Sequence, residues 1–72
     1  MENINSVLLK AKKYLINNSI KSANIDSEIL MCSVLKKSRD HLILNMLDKI
    51  DYEKINIFNQ LIERRKKREP IA

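Results

Sequence analysis

The sequence predicts a small all-α domain, a bundle of four helices with a fifth helix left open as the alternative. Its 72 residues contain no glycine and a single proline, so residues that make the tight turns and bulges of sheets are nearly absent. Leu, Ile, Lys and Glu, which are common in helices, are plentiful. So short a chain buries only about 60% of the surface that its unfolded form exposes. We therefore expect one compact core of modest stability.

The first predicted helix begins near the N-terminus and carries one apolar stripe. Lys10, Lys12 and Lys13 are expected to turn away from that stripe into water. The polar residues 17–19 interrupt the pattern and predict the end of the helix. The stripe consists of residues at helical spacing: Ile4, Val7, Leu8, Ala11, Tyr14 and Leu15.

The second predicted helix is expected to be mostly buried. Ser22 stands where an N-cap should be, and Asp26 and Glu28 lie in the first turns, where the helix dipole favours a negative charge. Lys36 and Lys37 are expected to close the helix at its negative end. Its apolar residues are Ile25, Ile29, Met31, Cys32, Val34 and Leu35.

Two further helices complete the predicted bundle. Ser38 can cap a short third helix that runs to about residue 45, and residues 48–51 are polar enough for a loop. Asp51 is the next expected cap, and Pro70 must stop the long final helix because it lacks an amide donor. One stripe of that helix carries Ile55, Phe58, Leu61, Ile62 and Arg65.

The helical stripes predict both a core and an ion pair. We expect Asp26 or Glu28 to pair with Arg64 or Arg65, since a partly buried guanidinium needs a carboxylate partner. The final helix is expected to cross the first two. The predicted core is Val7, Leu8, Ala11, Leu15, Ile25, Ile29, Cys32, Leu35, Leu42, Phe58, Leu61 and Ile62.

The chain has a formal net charge of +5, which we interpret first as solvated surface, with an anionic partner as the alternative. Cys32 is the one cysteine, so neither an internal disulfide nor a thiolate pair for zinc is expected, and a reducing cytoplasm is the expected compartment. No apolar run approaches the roughly 20 residues that span a bilayer, so we expect no membrane role.

No catalytic, cofactor-binding or metal-ligating residue is predicted. His41 is the one imidazole, and its position three residues after a cap favours a place on the helix surface or in the cap. Cys32 lies in an apolar pattern and reads as an ordinary buried thiol. Asp26 and Glu28 would point about 200° apart on a helix, which excludes a carboxylate pair. Without glycine there is no phosphate-cradling loop.

The densest charge run lies at the end of the last helix, from Arg64 to Arg68. The first interpretation is helix-end and intradomain pairing, because cations complement the helix dipole there. A protein partner is the second, and its candidate residues are Arg64, Arg65, Lys66 and Lys67. Nucleic acid is the third and least favoured, because the run has no neighbouring aromatic residues for base stacking except Phe58, which belongs to the apolar stripe.

Residues 24–35 and 61–72 together resemble the N-terminal domain of the HemK/PrmC methyltransferases. The family's first pattern is Asp-Ala-Glu followed by leucines, and its second is Arg-Arg, two variable residues, Gly, Glu-Pro and an apolar pair. This sequence departs from the family patterns at two positions: Ser27 replaces the small alanine, and Arg68 replaces the glycine. Because that glycine would suit the left-handed position after a helix, the helix end here must be closed differently. The matching residues are Asp26, Glu28, Leu30, Leu35, Arg64, Arg65, Glu69, Pro70, Ile71 and Ala72.

This resemblance implies a helical domain over 1–68 that recognises a class-1 peptide chain release factor, and a linker from 69–72 to a catalytic domain. That later domain would use S-adenosylmethionine to methylate the glutamine of the release factor's Gly-Gly-Gln loop. The parent protein would then be an enzyme, and this part alone would hold no cofactor. The alternatives are a basic module that binds nucleic acid and a purely architectural cap on the catalytic domain. Some members of the family are also fused to a tRNA methyltransferase domain, so the parent could be bifunctional.

Overall fold

The computed structural model describes residues 2–67, and within them the chain folds into four helices. These are α1 (Ile4–Asn17), α2 (Ala23–Leu35), α3 (Arg39–Leu44) and α4 (Tyr52–Lys66). No strand forms in this part of the chain, so the all-α prediction is confirmed, with four helices. None of the described helices is long and apolar enough to cross a membrane. The predicted stop at Pro70, the departure at Arg68 and the linker 69–72 lie outside the described residues.

The helix ends use the residues that the sequence pattern indicated, with one addition. The Ser38 side chain accepts a hydrogen bond from the His41 amide and caps α3, and Asn3 does the same for Ser6 in α1. Ser22 and Asp51 stand at the N-cap positions of α2 and α4 without a capping bond from their side chains. Lys36 closes α2 in the left-handed conformation, with φ of 56°.

The segment between α3 and α4 is tied to the start of α1. The amides of Ile4 and Asn5 donate to the carbonyls of Asp48 and Met46, at 3.0 Å and 2.9 Å. In the other direction, the Ile50 amide donates to the Glu2 carbonyl at 3.1 Å. The first amides of a helix have no hydrogen-bond partner within the helix, and the carbonyls of this loop provide partners for two of them. Ile50 of the same loop is buried.

The core lies where α1, α2 and α4 meet, with α3 packed on α2. Seven residues of the predicted core are buried as expected: Val7, Leu8, Ala11, Leu15, Leu42, Phe58 and Ile62. Cys32, Leu35 and Leu61 are half-buried and pack against this core. Further buried apolar residues were not in the predicted set: Ile4, Ile20, Ala23, Leu30, Met31, Ile50 and Ile55.

The prediction was wrong for Ile25 and Ile29, which are 55% and 47% exposed. Apolar residues occur all round α2, so periodicity alone does not indicate which side faces inward. The structure turns Ala23, Ser27 and Met31 inward, each four residues after the last, so the predicted burial of α2 holds for one side only. Small side chains at Ala23 and Ser27 allow the neighbouring helices to approach closely.

Candidate functional site

The end of α4 is joined to the start of α2 by a carboxylate and a guanidinium. Arg65 Nε donates to Asp26 Oδ2 at 2.7 Å, and the Arg65 side chain is only 22% exposed. Ser22 Oγ donates to the same carboxylate oxygen at 2.6 Å and lies 3.5 Å from Arg65 Nη2. The predicted pairing of an early α2 acid with an arginine of the basic run is therefore confirmed. Ser22 contributes to it instead of capping the helix through its side chain.

The second acid of α2 connects two other helices. Arg39 Nε in α3 donates to Glu28 Oε1 at 3.0 Å, and Arg39 Nη2 lies 3.0 Å from the same oxygen. Its other oxygen lies 3.6 Å from Lys12 Nζ in α1. The expectation that Lys12 turns into water was wrong, because its ammonium is drawn to this nearly buried carboxylate. Asp26 and Glu28 thus have separate partners, as their two-residue spacing on the helix indicated.

The basic run at the end of α4 is partly engaged within the domain. Lys66 Nζ lies 5.6 Å from the centroid of the Tyr14 ring, and the Tyr14 hydroxyl donates to Glu63. Hydrogen bonding with Tyr14 raises the pKa of Lys66 above its usual range, and the nearby Glu63 carboxylate adds to this. Arg64 and Lys67 are exposed. Of the four candidate partner-binding residues, Arg65 and Lys66 therefore have intradomain contacts, and partner binding by the run stays a prediction.

An open cleft of about 290 Å³ lies on the outer side of α2. It is lined by Ile25, Glu28, Ile29, Cys32 and Arg39. Burial raises the pKa of the Cys32 thiol above its usual range, Glu28 raises it further, and Arg39 opposes both. The thiol is therefore held in its neutral, weakly nucleophilic form, as expected of a structural cysteine.

The remaining candidate groups in the described part of the chain are His41 and the side chains that could bind a metal ion. His41 is exposed on α3, where its amide donates to Ser38 and its carbonyl accepts from Asn45. Within residues 2–67 no group of three or more His, Cys, Asp or Glu side chains is arranged so that it could hold a metal ion. In the same residues every fully buried polar side-chain atom has a hydrogen-bond partner.

Sequence reasoning missed Arg39 and the exposed side of α2. A signal for Arg39 was present, because it is the first residue of α3, where the helix dipole disfavours a positive charge. A cation at that position is more stable with a carboxylate nearby, and Glu28 provides one. No comparable signal indicated which isoleucines of α2 would face outward.

The chain is similar to known proteins over nearly its whole length. The model of the family described as PrmC N-terminal domain matches residues 6–72. A bifunctional methyltransferase of Rickettsia felis is 36% identical over 69 residues, which cover 96% of this chain and 13% of that protein. A release factor glutamine methyltransferase of Buchnera aphidicola is 39% identical over 70 residues, covering 89% of this chain and 25% of that protein.

A bifunctional methyltransferase of Rickettsia conorii is 32% identical over 69 residues, covering 96% of this chain and 13% of that protein. The chain therefore spans between 13% and 25% of the length of these curated relatives. No solved structure matches the chain significantly.

Proposed function

The chain belongs to the PrmC N-terminal domain family, and from that membership we propose that it is the substrate-holding part of a release factor glutamine methyltransferase. In this proposal residues 1–68 hold the body of a class-1 peptide chain release factor, and residues 69–72 begin the linker to a catalytic domain. That domain transfers a methyl group from S-adenosylmethionine to the glutamine of the Gly-Gly-Gln loop. The reaction takes place in the cytoplasm.

The observation that carries the proposal is the family match over residues 6–72, together with a relative named for release factor glutamine methylation. The match covers the region that forms the bundle, and the aligned part is a quarter of that relative's length. Most of the relative therefore lies outside the aligned region, and we assign the chemistry to that larger part. A separate holding domain contributes binding energy that positions the reacting amide, which lowers the entropic part of the barrier.

The structure supports a holding role rather than a chemical one. One apolar stripe of α1 and one of α4 pack into the domain's own core, and both acids of α2 pair with cations of neighbouring helices. What the described surface offers a partner is a cleft with apolar walls, exposed isoleucines and exposed lysines. Such a surface suits protein recognition, in which an apolar centre is bordered by charge.

Binding of a purified class-1 release factor to the 72-residue chain tests the proposal. We expect saturable binding with a Kd of about 1–100 μM, in the range of weak, transient complexes. The control is a protein unrelated to translation whose size and net charge match those of the release factor. It should not bind. Absence of release factor binding at a concentration of about 1 mM would contradict the proposal.

The same titration separates the two alternatives. A nucleic-acid module would bind RNA or DNA with an affinity that falls steeply with salt, because phosphate contacts release counterions. An architectural cap would bind neither, and removing it from the parent would impair folding without changing the KM for the release factor. The intradomain contacts of Arg65 and Lys66 count against the nucleic-acid alternative.

A further inference from the structure

The outer side of α2 is an apolar surface that the other described helices leave partly exposed. Ile25, Ile29 and Cys32 follow one another at positions i, i+4 and i+7, so they lie along one line of the helix. The two isoleucines are about half exposed, and all three residues line the 290 Å³ cleft. A helix that is apolar all round is typical of one covered on every side. In this domain α1, α3 and α4 all pack on α2, yet Ile25 and Ile29 stay about half exposed.

The charges around this surface are mainly positive. Glu28, the acid in the cleft, is already neutralised by Arg39 and Lys12. Arg39 keeps 64% of its side chain exposed beside the cleft, and Lys36 and Lys37 are exposed just beyond the end of α2. Asp40 is the opposing charge in this stretch. The line of apolar residues therefore leads toward an end of the helix where cations outnumber acids.

The end of α4 and the basic end of this surface lie at opposite ends of α2. Arg65 in the last turn of α4 contacts Asp26 in the first turn of α2, whereas Lys36 and Lys37 follow the last turn of α2. The 13 residues of α2 separate those two ends by about 20 Å, at a rise of 1.5 Å per residue. The basic end of α2 is therefore remote from the end of α4, and its exposed cations can attract an acidic partner.

We propose that the outer side of α2 docks an amphipathic helix of the release factor, with its apolar stripe against Ile25 and Ile29 and its acidic residues toward Lys36, Lys37 and Arg39. This inference rests on the proposed function and adds to it the docking surface and the kind of segment that it takes. An apolar stripe of a helix in a groove is a recurring mode of recognition, with anchors at i and i+4. The acidic residues of the docked helix would pair with Lys36, Lys37 and the exposed part of Arg39.

Two matched isoleucines test the apolar part of the surface. Ile29 in α2 is 47% exposed and Ile57 in α4 is 46% exposed, so a substitution at either removes similar buried area from the free domain. We expect Ile29→Asp to weaken binding of a class-1 release factor at least about tenfold, and Ile57→Asp to change it less than about twofold. Ile29→Ser is the milder variant, to be used if the circular dichroism of Ile29→Asp shows a loss of helix.

Two matched lysines test the charged part. Lys37 follows α2, and Lys13 is an equally exposed lysine of α1. We expect Lys37→Glu to slow association with the release factor about threefold or more at low salt, and Lys13→Glu to leave the rate nearly unchanged. The difference between the variants should shrink at high salt, because the steering charges are screened.

The outcomes separate this inference from the proposed function. If the unaltered chain binds the release factor and the two isoleucine variants bind alike, the docking surface is overturned while the proposed function stands. If the unaltered chain does not bind, both are overturned. Binding that only Ile29→Asp and Lys37→Glu weaken supports both.

Discussion

Arg65 and Asp26 form an ion pair in which each residue is also favourable within its own helix. Arg65 lies in the last turn of α4, where the helix dipole is negative, and Asp26 lies in the first turn of α2, where it is positive. Arg65 Nε approaches Asp26 Oδ2 to 2.7 Å, so the pair joins the two helix ends. It therefore holds the end of α4, the point from which the chain continues.

Replacing Arg65 by Met should lower the free energy of unfolding by about 1–3 kcal/mol, because the nearly buried Asp26 carboxylate loses its charged partner. Lys67→Met is the matched control, since Lys67 is an exposed cation of the same run. It should change the free energy of unfolding by less than about 0.5 kcal/mol. Urea unfolding followed by circular dichroism measures both. Equal effects of the two substitutions would show that the ion pair adds nothing beyond general charge.

Ser27 is fully buried, and its hydroxyl donates to the Ala23 carbonyl at 2.6 Å in the preceding turn of α2. That bond adds little, because the same carbonyl is available to the helix backbone. Ser27→Ala should therefore leave the domain unchanged or raise its free energy of unfolding by up to about 0.5 kcal/mol. Ser27→Leu should lower it by about 1–3 kcal/mol through overpacking. A thermal melt in which Ser27→Ala proves the more damaging variant would contradict this.

Phe58 has no exposed surface and is the largest fully buried side chain of the core. Phe58→Ala should cost about 3–5 kcal/mol through the lost apolar contacts and the cavity left behind. A domain of this size has a total stability of about 4–11 kcal/mol, so this substitution removes a large part of it. Its neighbour Ile57 is half exposed, and Ile57→Ala is expected to cost less than about 1 kcal/mol. Guanidinium titrations of the two variants should differ clearly in midpoint.

Cys32 should react slowly with iodoacetamide at pH 8. Its pKa is raised by burial and by Glu28, so a smaller fraction of the thiol is ionised than in an unfolded chain, and the rate should rise as the pH increases. Glu28→Gln removes the negative charge, lowers the pKa of Cys32 and should speed the reaction. Asp40→Asn is the control, because Asp40 is exposed and does not contribute to the shift. No acceleration in Glu28→Gln would rule out the charge effect.

The chain alone should not bind S-adenosylmethionine and should not methylate a release factor. The cofactor requires a pocket for its adenosine and sulfonium and a close backbone approach, which the absence of glycine makes difficult. Isothermal titration tests this directly. Micromolar binding to residues 1–72 would contradict the assignment of cofactor binding to a later domain, and binding that appears only in the longer parent protein would support it.

The sequence by itself determined the fold class, the extent of the helices and one long-range contact. Four helices were predicted from the absence of glycine, from the serines and aspartate before the last three apolar runs and from the spacing within α1 and α4, and the structure contains them. The pairing of an early α2 acid with an arginine of the basic run was predicted because a guanidinium beside an apolar stripe needs a carboxylate. Each of these properties depends on residues close in sequence or on strong charge chemistry.

Only the tertiary structure decided which side of α2 faces inward. The helix carries apolar residues all round, so Ile25 and Ile29 fitted the core as well as Met31 did, and periodicity gave no preference between them. Ser27 and Ala23 are small and buried, which lets neighbouring helices approach α2. In this orientation Asp26 pairs with a cation of α4, and Glu28 pairs with cations of α3 and α1. A nearly buried carboxylate needs a charged partner, whereas a half-exposed isoleucine is common on protein surfaces. The packing of the small residues and the pairing of both acids therefore favour the observed orientation of α2, in which Ile25 and Ile29 are about half exposed.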